Sequence, residues 1–307
     1  MGSSASPVFV HFPHPGKEHN PGEALRQPWN TGEHRRKFLR SGGRYVTHDQ
    51  SLGEGSLVFW GEWEAPSYRL KSWPKSGALP RFLQHPVWEH PKGRGPRQNT
   101  DPWVFGECFR YSNCKQQSQA ALRKLAPGSI ILFGSSLDRN FVADTVFVVR
   151  DSQRFRPAQP PDGDDAFRVC TIQSLLTDAG CSGDEFILYR GATLGAPVCG
   201  MYSFVPCRRE DSKKLRFCRP PITLPARYLN PASTQSPSGA KEPRSITELC
   251  QLWESVRQQV LDADCLLGSR FRRHRLMTAG FRAAPSEMRK TARSEYCGRS
   301  LPPLERG

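Results

Sequence analysis

The sequence predicts an α+β fold: a strand-rich body curling toward a partly closed barrel, with a few peripheral helices and a basic C-terminal tail. Three observations lead to it. Pro 27 and Gly 26 in 307 residues argue against a helical bundle and for strands joined by irregular connections. Short apolar runs rich in Val, Ile and Phe recur between residues 8 and 205, as buried strands require. Sustained helical period is confined to a stretch that begins at Ser245. The length suffices for one large domain or two modest ones. Composition divides it into a strand-rich domain over 1–227, a Pro/Ser-rich linker over 228–244, a docked helix over 245–268 and the tail, 269–307.

Taken in order, Val8-Phe9-Val10 reads as a first strand, followed by a Pro/Gly/His-rich loop from His11 to Gly22. Residues 31–40 gather Arg35, Arg36, Lys37 and Arg40 around Phe38 and Leu39, the composition of a short helical turn. Leu57 to Trp60 is a buried strand and Val104-Phe105 a shorter one. Lys115 to Leu125 has helical composition, with Ala120, Ala121, Leu122 and Leu125 inward, and must stop before Pro127-Gly128. Ile130 to Phe133 and Phe141 to Val149 flank the turn-rich segment Gly134 to Asn140, a hairpin with a long loop. Residues 151–165, rich in Pro, Asp and Gln, are expected to be flexible. Phe186 to Tyr189 and Tyr202 to Val205 add strands. In the docked helix Ser245 and Glu248 have the spacing of a capping box. Ile246, Leu249, Leu252, Trp253, Val256 and Val260 form its apolar face, and Gly268 supplies the stop.

Composition also narrows the function. No run approaches the ~20 apolar residues of a membrane helix, and the N-terminus lacks a basic start followed by an apolar stretch. With a mean hydropathy of −0.59, the expectation is a cytoplasmic protein without a membrane partner. Ten cysteines lie at irregular gaps with no C-x-x-C pair, so they read as reduced apolar fillers rather than zinc ligands. The formal charge is +15, with 33 arginines against 11 lysines. A GC-rich coding sequence favours arginine too, but this balance suits bidentate phosphate contacts. Residues 269–307 alone carry a net +7. A polyanionic partner is therefore expected, either nucleic acid or a nucleotide.

Two segments carry the functional expectation: Phe59-Trp60-Gly61-Glu62-Trp63-Glu64, and Trp103 through Asn113. Each interleaves flat rings with carboxylates inside a basic chain. That mixture suits a pocket for a planar polar ligand such as a nucleobase, modified or not: rings stack on its faces and polar side chains meet its edges. Stacking is assigned to Trp60, Trp63, Trp103 and Tyr111. Edge contacts go to Glu62, Glu107 and Asn113, with Arg110 beside them. Strand alternation sends Trp60 and Trp63 to opposite faces, so ordinary packing of one indole is the competing reading. Phosphate contacts are assigned to Lys17, in a loop of imidazoles and backbone amides near Gly16, to Arg35 and Arg36, and to Arg270, Arg272 and Arg273 of the tail. Gln98 to Asp101 offer further polar groups before Trp103, although the same residues are good turn formers.

Two other classes stay open. A metal-dependent or acid–base nucleotide-processing enzyme would use His11, His14 and His19 with Glu62 or Glu107. The H-x-x-H-x-x-x-x-H spacing matches no strong metal signature, and Pro13 and Pro15 oppose the helix that compact hydrolase motifs need. No resident cofactor is expected, and there is no G-x-S-x-G elbow, P-loop or G-x-G-x-x-G. A protein-interaction module would use the same aromatics as a contact patch.

The run from Leu122 to Ser135, a helix end followed by Ala126-Pro127-Gly128-Ser129-Ile130-Ile131-Leu132-Phe133-Gly134, resembles the start of PUA-like barrels, the group that includes ASCH and EVE domains. The resemblance implies a Pro-Gly turn delivering the chain into a central strand, and a helix–loop–strand cleft that holds a base or modified base. Members of that group are shorter, so the N-terminal third of this chain lies outside the likeness. Leu188-Tyr189-Arg190-Gly191 resembles the arginine-bearing strand of ADP-ribosyltransferases. Tyr202-Ser203-Phe204 departs from their Ser-Thr-Ser strand and no Glu-x-Glu follows, so that activity is not expected.

Overall fold

Strands dominate the computed structural model, which describes residues 6–14, 16–20, 35–65, 67–87, 99–161, 164–177, 181, 183–231, 238–241 and 245–272. These lie in one compact unit, Met1–Leu276; a second, Met277–Gly307, falls outside the described residues. The strands in chain order are β1 (Phe9–His14), β2 (Arg36–Val46), β3 (Leu52–Glu62), β4 (Ser67–Ser72), β5 (Phe82–Pro86), β6 (Arg110–Tyr111), β7 (Ile130–Leu137), β8 (Asn140–Phe155), β9 (Phe186–Gly191), β10 (Val205–Arg209), β11 (Ser238–Lys241) and β12 (Leu266–Phe271). They make two six-stranded sheets, in the orders β11-β1-β7-β8-β9-β6 and β12-β10-β3-β2-β5-β4. β12 also pairs with β2, from Leu267 opposite Val46 to Phe271 opposite Gly43. That extra pairing closes β2, β3, β10 and β12 into a ring. No helix among the described residues is long and apolar enough to cross a membrane.

Period-two alternation places the first sheet between two cores. Val10, Phe12, Ile131, Phe133, Phe147 and Val149 enter one cluster with Leu39, Phe59, Trp63 and Trp103. Phe9, Ile130, Leu132, Val146 and Val148 point the other way, into a cluster with Phe38, Val58 and Trp60. The second cluster is covered by α3 (Ile246–Asp262) through Leu249, Leu252, Trp253, Val256 and Val260. The first is covered in part by a helical segment made of α1 (Asp165–Phe167), a wider turn over Arg168–Ile172 and α2 (Gln173–Thr177). Both faces of the central strands are dry, which explains their almost continuous apolar runs.

The structure corrects several local expectations. Residues 36–40 are not a helical turn but the start of β2, where Arg36 and Lys37 are both buried yet partnered. The β7–β8 connection is not a long loop: Leu137 faces Asn140 across Asp138 and Arg139, with φ of 49° and 65°. Positive φ at both central residues is what a tight type I′ hairpin needs. β8 runs on to Phe155 and pairs with β9, so the flexible segment expected over 151–165 is strand in its first part. Lys115 to Leu125 forms turns and a short 3-10 helix, Ala120–Arg123. The docked helix ends at Asp262; Asp264 turns the chain at φ 58°, and Gly268 lies within β12. The expected tail thus begins as a paired strand, and residues 273–307 lie outside the described part.

Candidate functional site

Where β1, β2, β3 and β8 meet, a chain of buried charges crosses the molecule. Arg36 and Glu62 sit opposite each other in the β2–β3 register, and the Arg36 Nη2 reaches the Glu62 carboxylate at 2.6 Å. The Arg36 Nε donates to Asp144 Oδ2 at 2.7 Å. Arg219 meets the other Asp144 oxygen at 3.3 Å, donates to Ser135 Oγ at 2.8 Å, and also donates to the Gly16 carbonyl. Burial works against charge on Arg36, but Glu62 and Asp144 outweigh it and the net shift is upward. Arg219 shifts downward, through burial first, with Asp144 opposing and Arg36 adding to the fall. Two cations and two anions balance inside the fold, as buried charges must.

The same carboxylate extends the chain toward a thiol. Glu62 Oε1 lies 2.8 Å from His14 Nδ1, and His14 Nε2 lies 3.4 Å from Cys114 Sγ. His14 is 5% exposed, with its ring over Phe12 and parallel to Phe133. Cys114 is partly exposed. Its backbone is fixed by Asp101, whose carboxylate accepts from the N–H groups of Ser112, Asn113 and Cys114 at 2.9, 2.9 and 2.7 Å. Burial pushes Asp101 up to about 6, against the pull of those three N–H groups. Burial, with the Glu62 and Asp101 carboxylates, raises the Cys114 thiol well above its usual range.

At the Arg219 end the network borders a cavity of about 390 Å³. Gly16 to Asn20, Trp60, residues 77–79 and Arg219 contribute to its wall, and Lys17, Lys75 and Arg81 are exposed around it. Among the described residues no carboxylate forms an ion pair with any of these three side chains. Glu18 is engaged instead with the backbone N–H groups of Arg81 and Phe82 at 2.8 and 3.0 Å. A second hollow, about 300 Å³, is lined by Arg44, Arg270 and Arg272 together with Glu54 and Glu107. There the cations are spoken for: Arg270 pairs with Glu107, and Arg272 with Glu54 at 3.1 Å.

The residues singled out in the sequence are thus distributed unevenly. Residues 11–19, 60–64 and 103–114 do converge, but mainly inside the protein. Trp63, Trp103 and Tyr111 are at most 1% exposed; Trp63 and Trp103 touch with centroids 5.8 Å apart, and Tyr111 stacks on Tyr189. These rings are core. Trp60 does face away from Trp63, as alternation requires, and its indole donates to the Phe217 carbonyl while Arg219 covers the ring at 5.1 Å. Asn113 is buried and donates to Ser112 Oγ. Arg110 packs on Phe167 and pairs with Asp164 at 3.4 Å. Arg36 serves the internal network rather than the surface. Lys17 borders the basic cavity, Arg35 is half-buried beside His19, and Arg273 lies outside the described residues.

The three histidines do not gather. His11 and His14 occupy opposite faces of β1; His11 packs edge-on against Phe141, while His19 lies beyond the strand, bonded through its backbone to Arg36. Among the described residues no group of three His, Cys, Asp or Glu is arranged to hold a metal ion.

Sequence reasoning missed Cys114, Asp144, Arg219 and Lys37. Lys37 is 1% exposed, donates to the Ala65 carbonyl at 2.8 Å, and is lowered to about 7, chiefly by burial. A signal existed for Asp144, a carboxylate in the middle of an apolar strand. Arg219 and Cys114 gave none, because their partners lie 75 and 100 residues away. Set against protein-family models, curated proteins and solved structures, the chain finds no match in any of the three comparisons.

Proposed function

We propose that this protein recognises a nucleotide or a nucleic-acid strand through its phosphates, at the cavity bordered by Lys17, Lys75 and Arg81. The observation that carries the reading is that three exposed cations with no ion-pair partner among the described residues surround one hollow of about 390 Å³, a volume within the range of small-ligand sites. Gly16 and the backbone that follows it lie on the same rim, as a phosphate-contacting loop requires. Phosphate recognition fits this geometry better than base stacking, because the rings expected to stack fill the core. The PUA-like likeness belongs to the same reading. Gly128, at φ 87°, passes the chain into β7, and a closed ring of strands exists elsewhere in the molecule.

The test is fluorescence anisotropy with a labelled single-stranded oligonucleotide across a salt series. The wild type should bind with an affinity that falls steeply with salt. Combining Lys17→Ala, Lys75→Ala and Arg81→Ala should flatten the log–log slope by roughly 0.7 for each phosphate left without its cation. Absent binding, salt-insensitive binding, or an unchanged slope in the triple variant would refute the reading.

A further inference from the structure

We propose that the ligand is a single-stranded nucleic acid, which runs from the basic cavity along the rim of β4 and stacks a base on Trp73. This extends the phosphate reading above and depends on it. It also goes further, choosing a strand over a free nucleotide and naming a ring that lies outside the core.

Residues 65–88 contain Arg69, Lys71, Lys75 and Arg81 but no Asp or Glu. All four cations are exposed. None forms an ion pair among the described residues. Lys75 lies in the turn that joins β4 to β5, and Trp73 closes the neck of that turn, donating its backbone N–H to the Arg81 carbonyl at 2.8 Å. Ser72 of β4 faces Phe82, which belongs to the cavity wall. Positive charge therefore continues from the cavity onto Lys71 and Arg69 of β4, the outermost strand of its sheet. Glu18 and Asp138 also border the cavity, but β4 itself carries no acid. A mononucleotide would leave Arg69 and Lys71 without a phosphate, whereas a strand presents several in succession.

Trp73 sits where cavity and rim meet. It is only half-buried, unlike Trp60, Trp63 and Trp103, which are at most 4% exposed. Two cations lie over its ring, Arg216 at 5.1 Å and Lys71 at 5.3 Å. Arg216 is held by the carbonyls of Pro80 and Pro74, at 2.9 and 3.2 Å, so it braces the indole. Lys71 is on a long exposed stem with no ion pair. Its ammonium exchanges the ring for a phosphate, and a base takes the place it leaves.

The probe is a labelled oligothymidylate of about twelve nucleotides, followed by fluorescence anisotropy with the full-length protein. Thymidine monophosphate and a duplex of equal length are the competitors, and the single strand should bind more tightly than either. Trp73→Ala should weaken the single strand by about 5–100-fold per stacked base without changing the salt slope, because the indole carries no charge. Trp73→Phe should keep most of the affinity. Circular dichroism checks the fold of Trp73→Ala. If that variant is unfolded, photo-cross-linking of the wild type to a 4-thiothymidine oligonucleotide decides, with adducts expected within residues 69–81. Full affinity in folded Trp73→Ala, a duplex bound as tightly as the single strand, or adducts confined elsewhere would overturn the proposal. The phosphate reading would survive any of these if the Lys17, Lys75 and Arg81 variant still flattened the salt slope. Absence of binding to all three probes would end both.

Discussion

Asp144 stands inside a strand of otherwise apolar residues with two guanidiniums against it, Arg36 at 2.7 Å and Arg219 at 3.3 Å. Removing its charge leaves Arg36 with Glu62 alone and takes from Arg219 the one carboxylate it pairs with among the described residues. Asp144→Asn should therefore cost about 3–5 kcal/mol, read as a lower urea midpoint with an unchanged slope. Asp101 poses a different problem, because two carboxylate oxygens serve three backbone N–H groups. Asn offers one oxygen, so Asp101→Asn strands at least one buried donor and should cost about 1–3 kcal/mol, with the loss of protection concentrated at amides 112–114.

Two histidines at this scale make stability depend on acid. His11 is lowered to about 4 by burial, and His19 to about 4 by burial with help from Lys37 and Arg35. An unfolded imidazole titrates near 6.5, so between those values the unfolded chain binds more protons than the native one. The stabilisation is complete above about 6.5 and falls as pH drops toward 4, by roughly 3 kcal/mol per histidine. Asp101, raised to about 6, opposes this over part of the same window. Substituting His11→Gln should flatten the acid limb of the stability curve, and the His11 ring should remain neutral at pH 5 by NMR.

Among the elements, α3 was the most legible. Ser245 Oγ accepts from the Glu248 N–H at 3.1 Å, as the capping-box spacing promised, and the apolar face lies on the second core. Ser245→Ala should lower stability by about 1 kcal/mol, visible as a drop in Tm of a few degrees. The apolar centres of β3, β7, β8 and β9 were legible for a related reason, since runs buried on both faces need no partner to be recognised. β1 was legible only to Val10, and its second half, His11 to His14, was expected as loop. β2 was not, since Arg36 and Lys37 interrupt its run and only the folded molecule supplies Asp144, Glu62 and the Ala65 carbonyl. β12 was hidden inside the expected helix, because Leu266 and Leu267 extend an apolar pattern whose true end is a reversal at Asp264.

For the molecule as a whole, the first sheet is shared by both cores, with Phe147 entering one and Val148 the other. Neither core can dissolve without stripping one face of β8. Unfolding should be a single transition, so urea curves from far-ultraviolet circular dichroism and from tryptophan emission should superimpose; separate midpoints would show that the cores melt independently. Phe147→Ala should lower both curves together, by about 3–5 kcal/mol. The candidate site was legible only in outline. Interleaved rings and carboxylates did mark segments that meet, yet the rings serve packing. The thiol, the second arginine and the charge balance arise from pairings that span much of the chain, which local spacing does not encode.

The ring of β2, β3, β10 and β12 has a consequence for synthesis. Its last member leaves the ribosome some two hundred residues after β2 and β3 have paired, and it must join a strand on each side, β2 and β10. Until then the nascent polypeptide displays two unfilled hydrogen-bonding borders, each able to recruit a stray neighbour. Nascent chains stalled before residue 271 clears the exit tunnel should therefore bind chaperones, and longer ones should release them, as ribosome-bound fragments of graded length would show.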